Sequence, residues 1–142
     1  MTAADLSWDD VARILRPPKT IAVVGLSDNP DRESHEIASY LQEQGYKIIP
    51  VNPTISEALG EKAYPSLRDV PERVDIVQIF RRSEHVPPIV EEAIAIRAPV
   101  VWMQSGIVNE EAAAHAEGAG LVVVMDACLR SAHRALRASG RL

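Results

Sequence analysis

Short unbroken apolar runs alternate along the chain with longer stretches in which apolar residues recur every third or fourth position. Ile21–Val24 has no polar residue, and Lys47–Val51, Val74–Phe80, Pro99–Met103 and Leu121–Met125 are nearly as apolar. Runs of this length and composition predict strands of a parallel sheet covered on both faces. Between them the period changes. Val11, Ile14 and Leu15 follow Ser7, which suits an N-cap, and Pro17-Pro18 ends that helix. Ile37 and Leu41 mark a second helix, beginning near His35 with Ser34 as cap and closing at Gly45. Val86, Ile89, Val90, Ala93 and Ile94 mark a third with Pro87-Pro88 in its first turn, and Asn109 caps an alanine-rich fourth that ends at Gly118. A basic terminal helix follows Cys128. Only Thr54–Pro71 lacks a clear period; Lys62–Tyr64 there fits an edge strand before a single turn at Leu67–Val70.

Strand and helix alternate without an internal repeat, so the expected fold is α/β: a Rossmann-like doubly wound parallel sheet of about five strands with helices on both faces. Right-handed crossover makes the Lys47 strand parallel to the Thr20 strand. With the Tyr64 strand third and outermost, the order is 3-2-1-4-5. The switch point, where ligands enter such sheets, then falls between the Thr20–Gly25 and Val74–Phe80 strands. At 142 residues and 46% hydrophobic composition, one domain spanning residues 1–142 is expected, with a core of ordinary size.

Charge narrows the classes of partner. Fifteen basic against twenty acidic residues give a net charge of −5, which argues against nucleic acid or an anionic membrane as the main partner. A lone cysteine and four scattered histidines, at 35, 85, 115 and 133, exclude a disulfide framework and show no zinc-ligand spacing. The N-terminus is not basic, and no apolar run approaches about 18 residues, so a cytoplasmic location is expected.

The candidate chemistry lies where the first strand ends. Gly25 lets the chain turn where a side chain would collide with a ligand or demand a strained backbone angle, and the first turn of the next helix offers free N–H groups and the positive end of its dipole to an anion. Leu26 to Arg32 form the intervening loop, and Arg81-Arg82 leave the neighbouring strand at the same edge, placed for bidentate contacts to phosphate. Arg16 and Lys19 precede the first strand and belong to the opposite edge. The acids Asp28, Asp31 and Glu33 count against a phosphate loop unless they face solvent. The loop lacks G-x-G-x-x-G, and the second strand delivers Asn52-Pro53 where a dinucleotide fold delivers a ribose-binding acid, which disfavours NAD(P). Gly25-Leu-Ser27-Asp-Asn29 lacks the closing glycine of a nucleophile elbow. Cys128 also emerges at the ligand edge, though a single cysteine is most often a small packing residue.

These blocks resemble the small stand-alone CoA-binding proteins, related to the CoA-binding domain of the succinyl-CoA synthetase alpha subunit. The resemblance spans nearly the whole chain and rests on Val24-Gly25-Leu-Ser27 with Asn29-Pro30 and Arg32, Pro50-Val-Asn52-Pro53, Val74-Asp75, Ile79-Phe80-Arg81-Arg82, Trp102-Met-Gln104-Ser105-Gly106 and Met125-Asp126 with Cys128. It implies coenzyme A as ligand and carries over no activity. Gly25, Leu26, Ser27, Asn29, Arg32, Arg81 and Arg82 would take the phosphates; Asn52, Pro53 and Phe80 to Val86 would frame the adenosine; Gln104 and Gly106 would line the floor. The family usually has Asp-Arg-Cys where this chain has Asp126-Ala127-Cys128, and Glu-His where it has Ala132-His133, which weakens the carry-over at the C-terminal contacts. Two other readings stand beside it: a small NAD(P)-dependent oxidoreductase, and a free-standing subunit that docks on an acyl-CoA ligase.

Overall fold

The computed structural model describes residues Met1–Leu142. In chain order the strands are β1 (Thr20–Val24), β2 (Lys47–Val51), the two arms β3 (Glu57–Ala58) and β4 (Glu61–Lys62) of a small hairpin, β5 (Ile76–Ile79), β6 (Val100–Met103) and β7 (Val122–Val124). Five of them pair in parallel in the order β2-β1-β5-β6-β7. Tyr64 adds a single parallel bridge outside β2, its N–H donating to Pro50 (3.0 Å) and its carbonyl accepting from Asn52 (2.9 Å). The expected 3-2-1-4-5 layout is therefore present, with β7 as a further strand. The third strand shrinks to one residue because Pro65 follows, with no N–H to extend the ladder.

The helices are α1 (Trp8–Leu15), α2 (Glu33–Glu43), α3 (Val86–Ala95), α4 (Glu110–Gly118) and α5 (Leu129–Ala138). Successive strand residues point to opposite faces, and both faces are buried. Ile21, Val23, Ile48, Ile76 and Trp102 meet Leu15, Ile37, Leu41 and Leu129 of α1, α2 and α5. Ala22, Val24, Ile49, Val77 and Met103 meet Val90, Ala93 and Ala113 of α3 and α4. The sheet is thus covered on both sides, and its ends are left for ligands.

Three caps follow from the sequence with one correction. Ser7 Oγ accepts from Asp10 N (3.4 Å) and Asn109 Oδ1 from Ala112 N (2.9 Å), as expected of N-caps. Ser34 is not a cap: α2 begins at Glu33, after Arg32, and Ser34 is buried in the first turn with its hydroxyl turned to Ser27 N (3.1 Å). At the opposite edge, α2, α3, α4 and α5 all close through the same paired bonds. Tyr46 N to Leu41 O and Gly45 N to Gln42 O end α2, and equivalent pairs end the others. The left-handed residue is glycine in three of them and Arg97, at φ +59°, after α3.

Candidate ligand-binding site

Gly25 ends β1 at φ +90°, and a Cβ built there would lie 2.6 Å from the Phe80 carbonyl oxygen and 3.1 Å from Arg81 Cδ. The strained backbone angle expected at Gly25 is present, and the close approach comes from the neighbouring strand, whose exit presses against β1 at the switch point. This close approach brings Arg81 beside the loop that leads into α2.

That loop is held by its own short polar side chains. Ser27 Oγ accepts from Asn29 N (3.0 Å), Asn29 Oδ1 from Asp31 N (3.0 Å), and Ser34 Oγ from Ser27 N (3.1 Å). Such side-chain acceptors are how Ser and Asn shape turns. They leave the N–H groups of Leu26, Asp28, Glu33 and Ser34 without a protein acceptor. Asn52 ties this loop to the exit of β2: its Nδ2 donates to the Leu26 carbonyl (3.1 Å), and its Oδ1 accepts from Thr54 N (2.9 Å) and Thr54 Oγ1 (2.7 Å). Its carboxamide is largely engaged in positioning, which accounts for a neutral residue where a ribose-binding acid was sought.

Two adjoining crevices open at this edge. One, of about 440 Å³, is lined by Gly25, Ser27, Arg32, Asn52 and Phe80; the other, of about 400 Å³, by Phe80, Arg81, Arg82, Gln104 and Gly106. Phe80 and Glu33 border both. Nine of the thirteen residues singled out in the sequence are therefore brought together. Leu26 and Val86 are fully buried, so only their backbone faces the edge, while Asn29 and Pro53 are exposed on the flanking turns. Ser83, within the Phe80–Val86 stretch, also lines a wall, whereas Thr54, Ser105 and Ile107 there were not assigned a role from the sequence. The sequence reading also missed Gln78, whose signal was a polar residue inside an otherwise apolar strand.

The electrostatics suit an anion. Arg32 and Arg81 are exposed and belong to no ion pair, and Arg82 reaches Glu84 only at 3.9 Å. Asp28, Asp31 and Glu33 are exposed as required, but Asp28 and Glu33 lie on the rim and temper the field. Arg16 and Lys19 border separate hollows at the other end of the sheet. A larger hollow, of about 750 Å³, lies outside α3 and α4, where Glu91, Glu92 and Glu111 outnumber the single Arg68, and His115 is paired to Glu91. Its three carboxylates make it the wrong place for a phosphate.

Gln104 forms the floor with an asymmetric set of bonds. Its Oε1 accepts from Gln78 Nε2 (3.1 Å) and from Leu129 N at the start of α5 (3.0 Å), whereas its Nε2, though buried, has no acceptor. Beside it Cys128 is half-buried at the N-cap of α5. Burial pushes that thiol up, but the Ser131 hydroxyl and N–H and the Arg130 N–H together hold it below its ordinary value.

A doubly wound sheet with a crevice at its switch point places the chain in the Rossmann-like class of α/β proteins, where ligands enter at that point. More specifically, residues 19–134 match the CoA binding domain family, and the chain belongs to it. It is 52% identical over 124 residues to the uncharacterized protein YneT of Bacillus subtilis, covering 87% of this chain and 92% of that one. It is similar in structure to a hypothetical protein of Pyrococcus horikoshii, with a TM-score of 0.91 at 38% identity and 96% of each chain covered. It also matches an ADP-forming acetate–CoA ligase of Archaeoglobus fulgidus, 36% identical over 77 residues; that stretch is 53% of this chain but 11% of the ligase. No helix is long and apolar enough to cross a membrane.

Proposed function

We propose that the chain binds coenzyme A or an acyl-CoA at the C-terminal edge of the sheet, as a sensing, carrying or regulatory module in residues 1–142 without catalysis of its own. The observation that carries this reading is Arg81, exposed and unpaired, packed against Gly25 and facing a helix start whose first N–H groups lack acceptors. Cations and backbone donors converging on one spot are what phosphate oxygens require. Phosphates lie between the Leu26–Arg32 loop and Arg81-Arg82, the adenosine toward Asn52, Pro53 and Phe80, and the thiol-bearing arm over Gln104 and Gly106. The ligase relatives support a second reading, in which the same module docks on a ligase partner; co-purification at fixed stoichiometry tests it.

Calorimetric titration with CoA, with NADH in parallel, tests the binding. Heat and a concentration-dependent rise in Tm are expected with CoA, since a ligand bound only by the native state stabilises it by mass action. Replacing Arg81 and Arg82 together by Ala lowers the affinity on the order of tenfold or more, while replacing Arg16 and Lys19 does not. Tighter binding of NADH, or equal losses from the two double variants, refutes the assignment.

A further inference from the structure

Three features converge one residue beyond the wall of the Arg81 crevice. Gln104 lines that crevice together with Phe80, Arg81 and Gly106. The same side chain is 3% exposed and is held on its oxygen side by Gln78 and by Leu129, the residue after the half-buried Cys128, while its Nε2 has no acceptor. Cys128 stands at the N-terminus of the ten-residue α5, where the helix dipole and the N–H groups of Arg130 and Ser131 favour a sulfur anion. The loops that carry these residues are joined: Gly106 N donates to Asp126 Oδ1 (2.6 Å), and Ala127 N to the Met103 carbonyl (3.3 Å). Trp102 Nε1, buried, donates to the Ala127 carbonyl at 2.8 Å. From the β1 exit to the β6 exit is two strand spacings, about 10 Å. A pantetheine arm anchored by its phosphate near Gly25 is long enough to run that way.

We propose that Cys128 is a thiol–disulfide exchange site that takes the disulfide form of the pantetheine-bearing ligand held in the Arg81 crevice and retains half of it as a mixed disulfide. The inference rests on the binding reading above and names a chemistry for the far end of the same site. In the exchange, the Cys128 thiolate attacks the nearer sulfur of the ligand disulfide, the ligand S–S bond breaks as the Sγ–S bond forms, and the other half departs as a thiolate that takes a proton from water. The oxidising equivalent is the ligand disulfide itself. The N–H groups of Arg130 and Ser131 steady the attacking sulfur, and the crevice supplies proximity. A thiol on an open surface lacks both.

Intact-mass spectrometry of the reduced full chain after mixing with CoA disulfide tests the proposal, with glutathione disulfide at the same concentration for comparison. A single CoA-sized adduct is expected, reversed by dithiothreitol and absent in Cys128→Ser. It forms faster than the glutathione adduct, on the order of tenfold or more, because binding places the disulfide at the sulfur. In Arg81→Ala/Arg82→Ala that preference disappears. Heat on titration of the reduced protein with CoA but no adduct overturns this proposal alone, as do equal rates with the two disulfides. No heat with CoA overturns the binding reading together with it.

Discussion

Gly25→Ala separates two reasons for a glycine that are usually lumped together. At φ +90° any L residue is strained, by roughly 1–3 kcal/mol. The added Cβ must also clear the Phe80 carbonyl, 2.6 Å away, and because that oxygen is backbone it moves only if the β5 exit moves with it. Forcing such a shift into a packed region costs about 1–3 kcal/mol more. The sum, about 2–6 kcal/mol, is a large part of the 5–15 kcal/mol typical of a domain. Gly60, in the β3–β4 turn, is the control: its φ is +76°, but nothing lies within 4 Å of a Cβ there. Gly60→Ala therefore carries the strain without the collision. Urea unfolding followed by circular dichroism gives both free energies, and Gly25→Ala should lose about 1–3 kcal/mol more than Gly60→Ala. It should also weaken CoA binding, because Arg81 Cδ is the next atom displaced. Equal losses in the two variants would show that the β5 exit does not press on β1, and the account of why Arg81 reaches the switch point would fall with it.

Arg97→Gly should stabilise the chain by up to about 1 kcal/mol, since the left-handed conformation that closes α3 costs a non-glycine residue about 1–2 kcal/mol, offset in part by the freer unfolded chain; a lower urea midpoint refutes it. Asn52→Ala removes the clamp between the β1 and β2 loops, and should cost about 1–3 kcal/mol through its lost hydrogen bonds and raise hydrogen exchange in both loops rather than one. Trp102→Phe leaves the Ala127 carbonyl buried without its donor, at a cost of about 1–3 kcal/mol measured the same way. His133 is buried, with Tyr40 Oη 2.8 Å from its Nδ1. Burial first, and Arg137 second, hold its pKa below the ordinary 6.5. The folded state thus binds its proton less readily than the unfolded chain: the stability is fully present above about pH 6.5 and is lost as pH falls through the lower folded value. His133→Phe should flatten that part of the profile, and an unchanged slope would count against the burial argument.

The layering of the fold was open to reading because each strand carries its own evidence: Ile21–Val24 is too apolar for anything but a two-faced strand, and helical spacing resumes on either side of it. The Arg81-Arg82 pair gained meaning only from strand order, which the alternation of elements supplied. What stayed hidden depends on which partner a versatile side chain selects. Ser34 reads equally well as a cap or as an internal hydroxyl, and the backbone at Ser27 decides. Asn52 was placed against a ligand because nothing local reveals that Leu26, distant in sequence, needs its amide. The β3–β4 hairpin turns on Leu59 at φ +55°, a conformation leucine does not advertise. Gln78 and Gln104 find each other across two strands, a contact set by register.

The repeated helix endings at the rear of the sheet have a consequence for how such a unit can be elaborated. Gly45, Arg97, Gly120 and Gly140 each turn the chain back at the end remote from the crevice, while the crevice-lining loops follow the strands at the front. Growth and recognition are thereby assigned to different poles. A loop lengthened at the rear, or a second polypeptide joined there, leaves the phosphate cradle and the Gln104 floor in register, whereas an insertion after β1, β5 or β6 disrupts them at once. A unit with this polarity can be embedded in a larger protein without being redesigned, and the match to a small fraction of a much longer ligase has that form.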